Sequence, residues 1–243
     1  DISAPRCFEI EERLADLLDI PVFHDDQHGT AVVVLAGLMN ALKVVGKKLS
    51  EISIVVNGAG AAGTAITNLL LEAGVKSIVV LDSKGIIVEG RLGMEEEKNQ
   101  LAKKTNKDKR TGGLKEAMLG ADVFVGVSKP GLLTVEMIKS MNKKSIIFAM
   151  ANPVPEVMPD IALSAGAAVV ATGRSDFPNQ VNNVLVFPGI FRGLLDGRIR
   201  KVTTEMKLSA AKALSELVPN PTAVNILPSP LDKKVATVIA RAV

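Results

Sequence analysis

The segment Gly58-Ala59-Gly60-Ala61-Ala62-Gly63 constrains the fold more than any other, because of what lies on either side of it. Residues 52–57 (ISIVVN) form an apolar run before it, a helical stretch near 64–73 follows, and a second apolar run, 77–82, ends in Asp82. A lone G-x-G-x-x-G is weak, since glycine and alanine are common. Between a strand and a helix, with an acid 19 residues after Gly63, it has the context that dinucleotide binding requires. Gly58 would allow the tight turn, Gly60 the close approach of a pyrophosphate to backbone, and Gly63 close packing of helix on strand. The helix N-terminus would hold the anion through free N–H groups and the helix dipole. The competing reading is a glycine turn without a ligand. The candidate cofactor contacts here are Gly58, Ala59, Gly60, Ala61, Ala62, Gly63, Asp82 and Ser83. Asp82 can accept a hydrogen bond from the adenosine ribose 2′-OH and would repel a 2′-phosphate, which argues for NAD; Lys84 could offset that charge and admit NADP.

Apolar β-branched runs at 122–128, 145–150 and 168–172 continue the pattern, alternating with helical periodicity at 114–119, 134–141 and 158–164. Continuous apolar runs suit strands buried on both faces. The expected fold class is therefore α/β: a Rossmann-type, doubly wound, mostly parallel sheet with flanking helices before and after it. Helices are expected at 9–18 and 30–45 ahead of the core, and at 187–195, 204–218 and 231–242 behind it. The polar segment 85–113 reads as a surface excursion. Domain organisation follows: a helical segment at 1–45 leading into the core, a dinucleotide-binding core at 46–190, and C-terminal helices at 191–243.

Composition narrows the function classes. Of 243 residues, 47% are hydrophobic and 23% charged, a globular balance. The net charge of +3 is scattered apart from 103–110, so nucleic acid is not an expected partner; that basic stretch reads as a solvated face, with anion binding as the lesser alternative. No apolar run reaches the roughly 18 to 20 residues of a membrane span, and no secretory leader opens the chain, so no membrane partner is expected. The lone Cys7 excludes an internal disulfide and reads as a small buried residue; a cytoplasmic location is the expectation. The chain starts at Asp1 rather than Met, which suggests a piece of a longer protein, and it contains neither Tyr nor Trp.

A second cluster lies in the run from Pro21 to Thr30, PVFHDDQHGT, where Asp25 and Asp26 stand just before a helix. They could cap it. Equally, with Asp1, they could hold a hard cation such as Mg²⁺ or Mn²⁺, which prefers carboxylate oxygen. His24 and His28 read as orienting hydrogen-bond partners rather than ligands. Asn152 before Pro153 is a turn signal, and Asn182-Asn183 ahead of an apolar run could cap or turn.

Six segments, in order, resemble malic enzymes: residues 1–5 (DISAP), 22–31 (VFHDDQHGTA), 57–63 (NGAGAAG), 82–85 (DSKG), 151–156 (ANPVPE) and 171–189 (ATGRSDFPNQVNNVLVFPG). The resemblance covers essentially the whole chain. It implies oxidative decarboxylation of (S)-malate to pyruvate and CO₂ with reduction of NAD(P), in the presence of Mg²⁺ or Mn²⁺, by a homo-oligomer, a dimer by expectation. It assigns Asp1 and Asp26 to the metal and makes Asp25 the catalytic-site aspartate that orients a lysine. It places Asn152 and Asn182 on substrate, with Asn152 and Asn183 also on the nicotinamide. The family's pattern departs here in one respect. Its tyrosine acid, lysine base and a glutamate ligand lie upstream of the first matching motif. The resemblance therefore implies that these 243 residues alone bind dinucleotide with weakened metal affinity and little or no turnover. Two other readings stay open: a different NAD-dependent two-domain dehydrogenase, or a non-catalytic dinucleotide-binding module. Divalent-metal dependence separates the first from a malic enzyme, and a metal-dependent response to malate separates the second.

Overall fold

The computed structural model describes Ile2 and residues 4–243; Asp1 and Ser3 lie outside the described residues. Strands β1 (Ser53–Asn57), β2 (Ser77–Asp82), β3 (Gly85–Ile86), β4 (Val123–Gly126), β5 (Ile146–Ala149) and β6 (Val169–Thr172) form one sheet in the order β3-β2-β1-β4-β5-β6. All pairings are parallel except β2 with β3. Successive strands step one way from β1 to β2, then restart on the other side of β1 at β4. The order reverses between β1 and β4, and in such a sheet the crevice outside the carboxyl ends of the strands at that reversal takes the ligand.

Alternate residues of each strand feed two cores. Ile54, Val56, Ile78 and Val80 pack with helices α2 (Thr30–Val45), α3 (Ala61–Glu72), α8 (Phe187–Asp196), α9 (Thr204–Glu216) and α10 (Lys234–Ala242). Val55, Val79, Phe124 and Ile147 pack on the other side with α5 (Leu114–Met118), α6 (Val135–Lys139) and α7 (Pro159–Ser164). Covering both faces is what leaves the strands uniformly apolar. α2 is buried nearly all round and ends at Gly46, whose φ of 70° suits a residue without Cβ. Its buried Asn40 donates to the carbonyls of Ser215 and Ile226 at 2.9 and 3.0 Å, tying α2 to the C-terminal helices. The helical stretch Asp25–Val45 has 21 residues and is apolar enough to cross a membrane by length and composition, yet most of it is buried inside the domain, which accounts for its apolarity. Cys7, in α1 (Arg6–Leu17), is buried, as expected for a small apolar side chain.

One expected feature needs correction. Residues 85–113 are not a plain surface excursion. Gly85–Ile86 pairs antiparallel with β2, Ile87 is fully buried, and α4 (Glu96–Lys104) sinks Leu101 and Ala102 into the core. A few well-spaced apolar residues suffice to dock a polar segment whose other face is solvated.

Candidate dinucleotide and metal site

At the end of β1, Gly58 takes φ 125°, and a Cβ there would lie 2.7 Å from the Val127 carbonyl oxygen. A Cβ on Gly63 would lie 1.7 Å from the Gly58 carbonyl oxygen, so only glycine lets α3 start this close to the turn. Gly60 is different. It occupies the N-cap of α3 with no side-chain cap, and no atom lies within 4 Å of where its Cβ would be. Open space above uncapped N–H groups suits a diphosphate. The space belongs to a cavity of about 780 Å³ lined by Asn57, Ala59, Asp82, Ser83, Lys98 and Ser128 among others. Ala61 stands in the first turn of α3, and Ala62 faces a neighbouring cavity.

Asp82 is held more tightly than the sequence suggests. Arg91 grips it with two bonds, Nη2 to Oδ2 at 2.5 Å and Nη1 to Oδ1 at 3.0 Å, while Lys98 Nζ stands 3.6 Å from Oδ2. Burial alone would raise the Asp82 pKa; the Arg91 hydrogen bonds, the Lys84 backbone N–H and the two cations carry it below the usual carboxylate value. Lys84 contributes only that N–H, at 2.9 Å. The cations at this edge are thus Arg91 and Lys98, both delivered by the docked segment 85–113. They weaken the charge argument against a 2′-phosphate.

A second cavity, about 390 Å³, adjoins the first across Val127 and Ser128. Asp26, Ala62, Ser128, Asn152, Asn182 and Asn183 all line it. The geometry therefore brings together four residues from three separate motifs, an exposed carboxylate and three amides, beside the end of the glycine turn. Asn182 also spends its Oδ1 on the Val184 N–H at 3.0 Å, capping the short 3₁₀ turn Asn183–Leu185, so the capping reading of this residue holds alongside its place in the cavity. Asn57 donates to Ser128 Oγ at 2.8 Å, bridging the ends of β1 and β4.

Asp25 and Asp26 begin a π-helical turn, Asp25–Gly29, that runs directly into α2, and neither caps it. Asp26 is exposed at the cavity. Asp25 folds back over Gly29, where a Cβ would come within 2.0 Å of its Oδ1. That oxygen is buried and has no hydrogen-bond partner among the described residues. Burial, then the neighbouring Asp26, raises the Asp25 pKa, with His24 opposing. A buried, unpaired acceptor oxygen is costly and suits a site completed by a cation or donor from elsewhere. Among the described residues, no group of three His, Cys, Asp or Glu side chains could hold a metal, and Asp1 lies outside them. Asp26, exposed at the cavity, fits a hard cation as part of its ligand set, and the buried Asp25 oxygen fits a donor brought in beside it. The histidines orient the turn: His28 Nε2 meets Glu11 at 2.9 Å, His24 Nδ1 meets Gln27 at 2.7 Å, and Gln27 donates to Glu11 at 2.9 Å.

Sequence reasoning missed Arg91, Lys98, Ser128 and Asn57. Ser128 had a usable signal, since it follows β4 at the carboxyl edge; Arg91 and Lys98 had none, because their role depends on how a polar segment docks.

A switch point set over a glycine turn, with an acid at the end of β2, defines a dinucleotide-binding Rossmann domain. The profile of one family, described as "Malic enzyme, NAD binding domain", matches residues 27–243. The chain belongs to the malic enzyme family, as its NAD-binding domain. It is 59% identical over 246 residues to the bifunctional malic/malolactic enzyme of Bacillus subtilis, covering all of this chain and 60% of that protein. It is 54% identical to the NAD-dependent malic enzyme of Geobacillus stearothermophilus, covering 51% of it. The crystal structure of the NAD-dependent malic enzyme from Thermotoga maritima matches with a TM-score of 0.96 at 49% identity, covering 100% of this chain and 64% of that one. The chain thus spans between half and two thirds of these relatives.

Proposed function

We propose that this chain supplies the cofactor site and part of the metal site for NAD(P)-dependent oxidative decarboxylation of (S)-malate to pyruvate and CO₂. The observation that carries the reading is the second cavity, where an exposed carboxylate, Asp26, and the amides of Asn152, Asn182 and Asn183 meet beside the glycine turn. When bound, the dinucleotide would supply the hydride acceptor for malate C2, and Mg²⁺ or Mn²⁺ would supply Lewis-acid polarisation at the adjoining oxygen.

The chain's own groups bind and orient. The uncapped start of α3 holds the pyrophosphate, and Asp82 with Ser83 meets the adenosine ribose. Ser128, Asn152 and Asn183 frame the nicotinamide. Neutral amides at Asn152 and Asn182 hold a substrate carboxylate without adding a charge that would compete for the cation. Asp26 is the metal ligand these residues offer, joined by Asp1. Asp25, with an oxygen unpaired among the described residues and its pKa raised, orients a cationic side chain contributed by residues outside this chain. No tyrosine is present in the sequence, so a tyrosine acid also comes from elsewhere. The working protein is a homo-oligomer, a dimer, in the cytoplasm.

The test is a titration of the chain with NADH, followed by fluorescence, then with Mn²⁺ followed by electron paramagnetic resonance. Saturable NADH binding with weak Mn²⁺ binding that Asp26→Asn abolishes is the expected result. Unaltered Mn²⁺ binding in the variant would remove Asp26 from the metal site.

A further inference from the structure

Glu156 is fully buried, yet no cationic side chain accompanies it among the described residues. Its two carboxyl oxygens accept one backbone N–H each: Ser128 to Oε1 and Ala151 to Oε2, both at 3.0 Å. These donors belong to two different loops, the one after β4 and the one after β5. The backbone does the same from the same place, since Leu133 donates to the Glu156 carbonyl at 3.1 Å and Gly131 to that of Pro155 at 3.2 Å. Room for the carboxyl group exists only because β4 ends in glycine. A Cβ on Gly126 would lie 2.4 Å from Glu156 Cδ.

We infer that Glu156 is a positioning residue that clamps the Ser128 and Asn152 loops together and so sets the shape of the nicotinamide half of the cofactor site. The inference rests on the functional reading above, which puts nicotinamide beside Ser128 and Asn152. The carboxyl group offers an acceptor oxygen to each amide; a glutamine satisfies one and turns its own NH₂ toward the other. Burial raises the Glu156 pKa above its ordinary value, and the Ala151, Ser128 and Glu156 backbone amides oppose that rise without cancelling it. Glu156 lines neither cavity and acts only through the loops. The adenosine half is anchored separately, at the glycine turn and Asp82. Loss of the clamp therefore affects one end of the dinucleotide and not the other.

The test uses this chain carrying Glu156→Gln, with Glu156→Asp as the shorter acid that reaches only one loop. Thermal melting establishes that each variant is folded. NADH affinity is then measured by fluorescence and AMP affinity by calorimetry. NADH affinity should fall about tenfold, the equivalent of one lost hydrogen bond to a charged group, while AMP affinity stays within about twofold of the parent. Unchanged NADH affinity in both folded variants overturns the inference, as does a fall in NADH and AMP affinity together. Failure of the parent chain to bind NADH at all would instead overturn the functional reading on which it rests.

Discussion

Gly60 and Gly63 stand three residues apart in one turn, and the structure assigns them opposite sensitivities. In Gly63→Ala the new methyl would sit 1.7 Å from the Gly58 carbonyl oxygen and 3.3 Å from Val127 Cγ2. Relief requires α3 to withdraw by more than an ångström, and overpacking of this kind costs about 1–3 kcal/mol. For a chain of this size that lowers Tm by roughly 2–12 °C. The withdrawal also moves the N–H groups that face the pyrophosphate, so NADH affinity falls with stability. In Gly60→Ala the methyl meets nothing within 4 Å, and the backbone, at φ −89° and ψ −161°, is one alanine adopts freely. Stability should stay within about 0.5 kcal/mol of the parent. The methyl nevertheless occupies the space the pyrophosphate needs, and NADH affinity should drop at least tenfold, a loss of about 1.4 kcal/mol or more. The assay is a thermal melt paired with NADH fluorescence titration for each variant. A Gly60→Ala protein that binds NADH like the parent would refute the placement of the pyrophosphate. A Gly63→Ala protein as stable as the parent would refute the packing argument.

Three further outcomes are expected. Asp122 accepts from Lys47 at 2.8 Å, from the Ser53 N–H at 2.9 Å and from Asn142 at 3.0 Å; truncation to alanine should cost about 3 kcal/mol in urea unfolding, since it removes the shared acceptor of all three donors and leaves Lys47 only the Lys143 carbonyl. Burial pushes the Asp122 pKa up, but the Lys47, Ser53 and Asn142 hydrogen bonds hold it below its unfolded value. Its stabilisation is therefore complete above the ordinary carboxylate range, near pH 4, and is lost as pH falls below it, so Asp122→Asn should show a shallower loss of stability on acidification. Arg91→Ala should weaken binding of NADP more than of NAD, because it removes a cation from beside the Asp82 carboxylate; an unchanged ratio of the two affinities, measured by calorimetry, would show that Arg91 serves only the fold.

The sheet was legible in the sequence because five buried parallel strands must be continuous apolar runs, and each such run became a strand. β3 was not legible: two residues of strand carry no periodicity, and the apolar run Ile86-Ile87-Val88 is too short to stand out in a polar segment. The same segment hid Arg91 and Lys98, whose partner Asp82 is up to 16 residues away and comes within reach only once the segment folds back. Helix boundaries moved where capping overrode pattern, as at Thr134, whose side chain caps α6 rather than joining it. The glycine turn was legible through its flanks, whereas Asp25 was not. Its spacing suggested a cap or a ligand, and only the structure shows an oxygen buried against Gly29 with no partner among the described residues. Asn182 answers both readings at once, capping a turn with one oxygen while lining the cavity.

The most direct test of the central claim is the absorbance of reduced nicotinamide formed when the longer protein containing this chain is given malate, NAD and Mn²⁺, with pyruvate measured alongside. The account predicts reduced cofactor and pyruvate in equal amounts, dependent on all three additions and lost in Asp26→Asn. Reduced cofactor without pyruvate, or full turnover by the 243 residues alone, would contradict it.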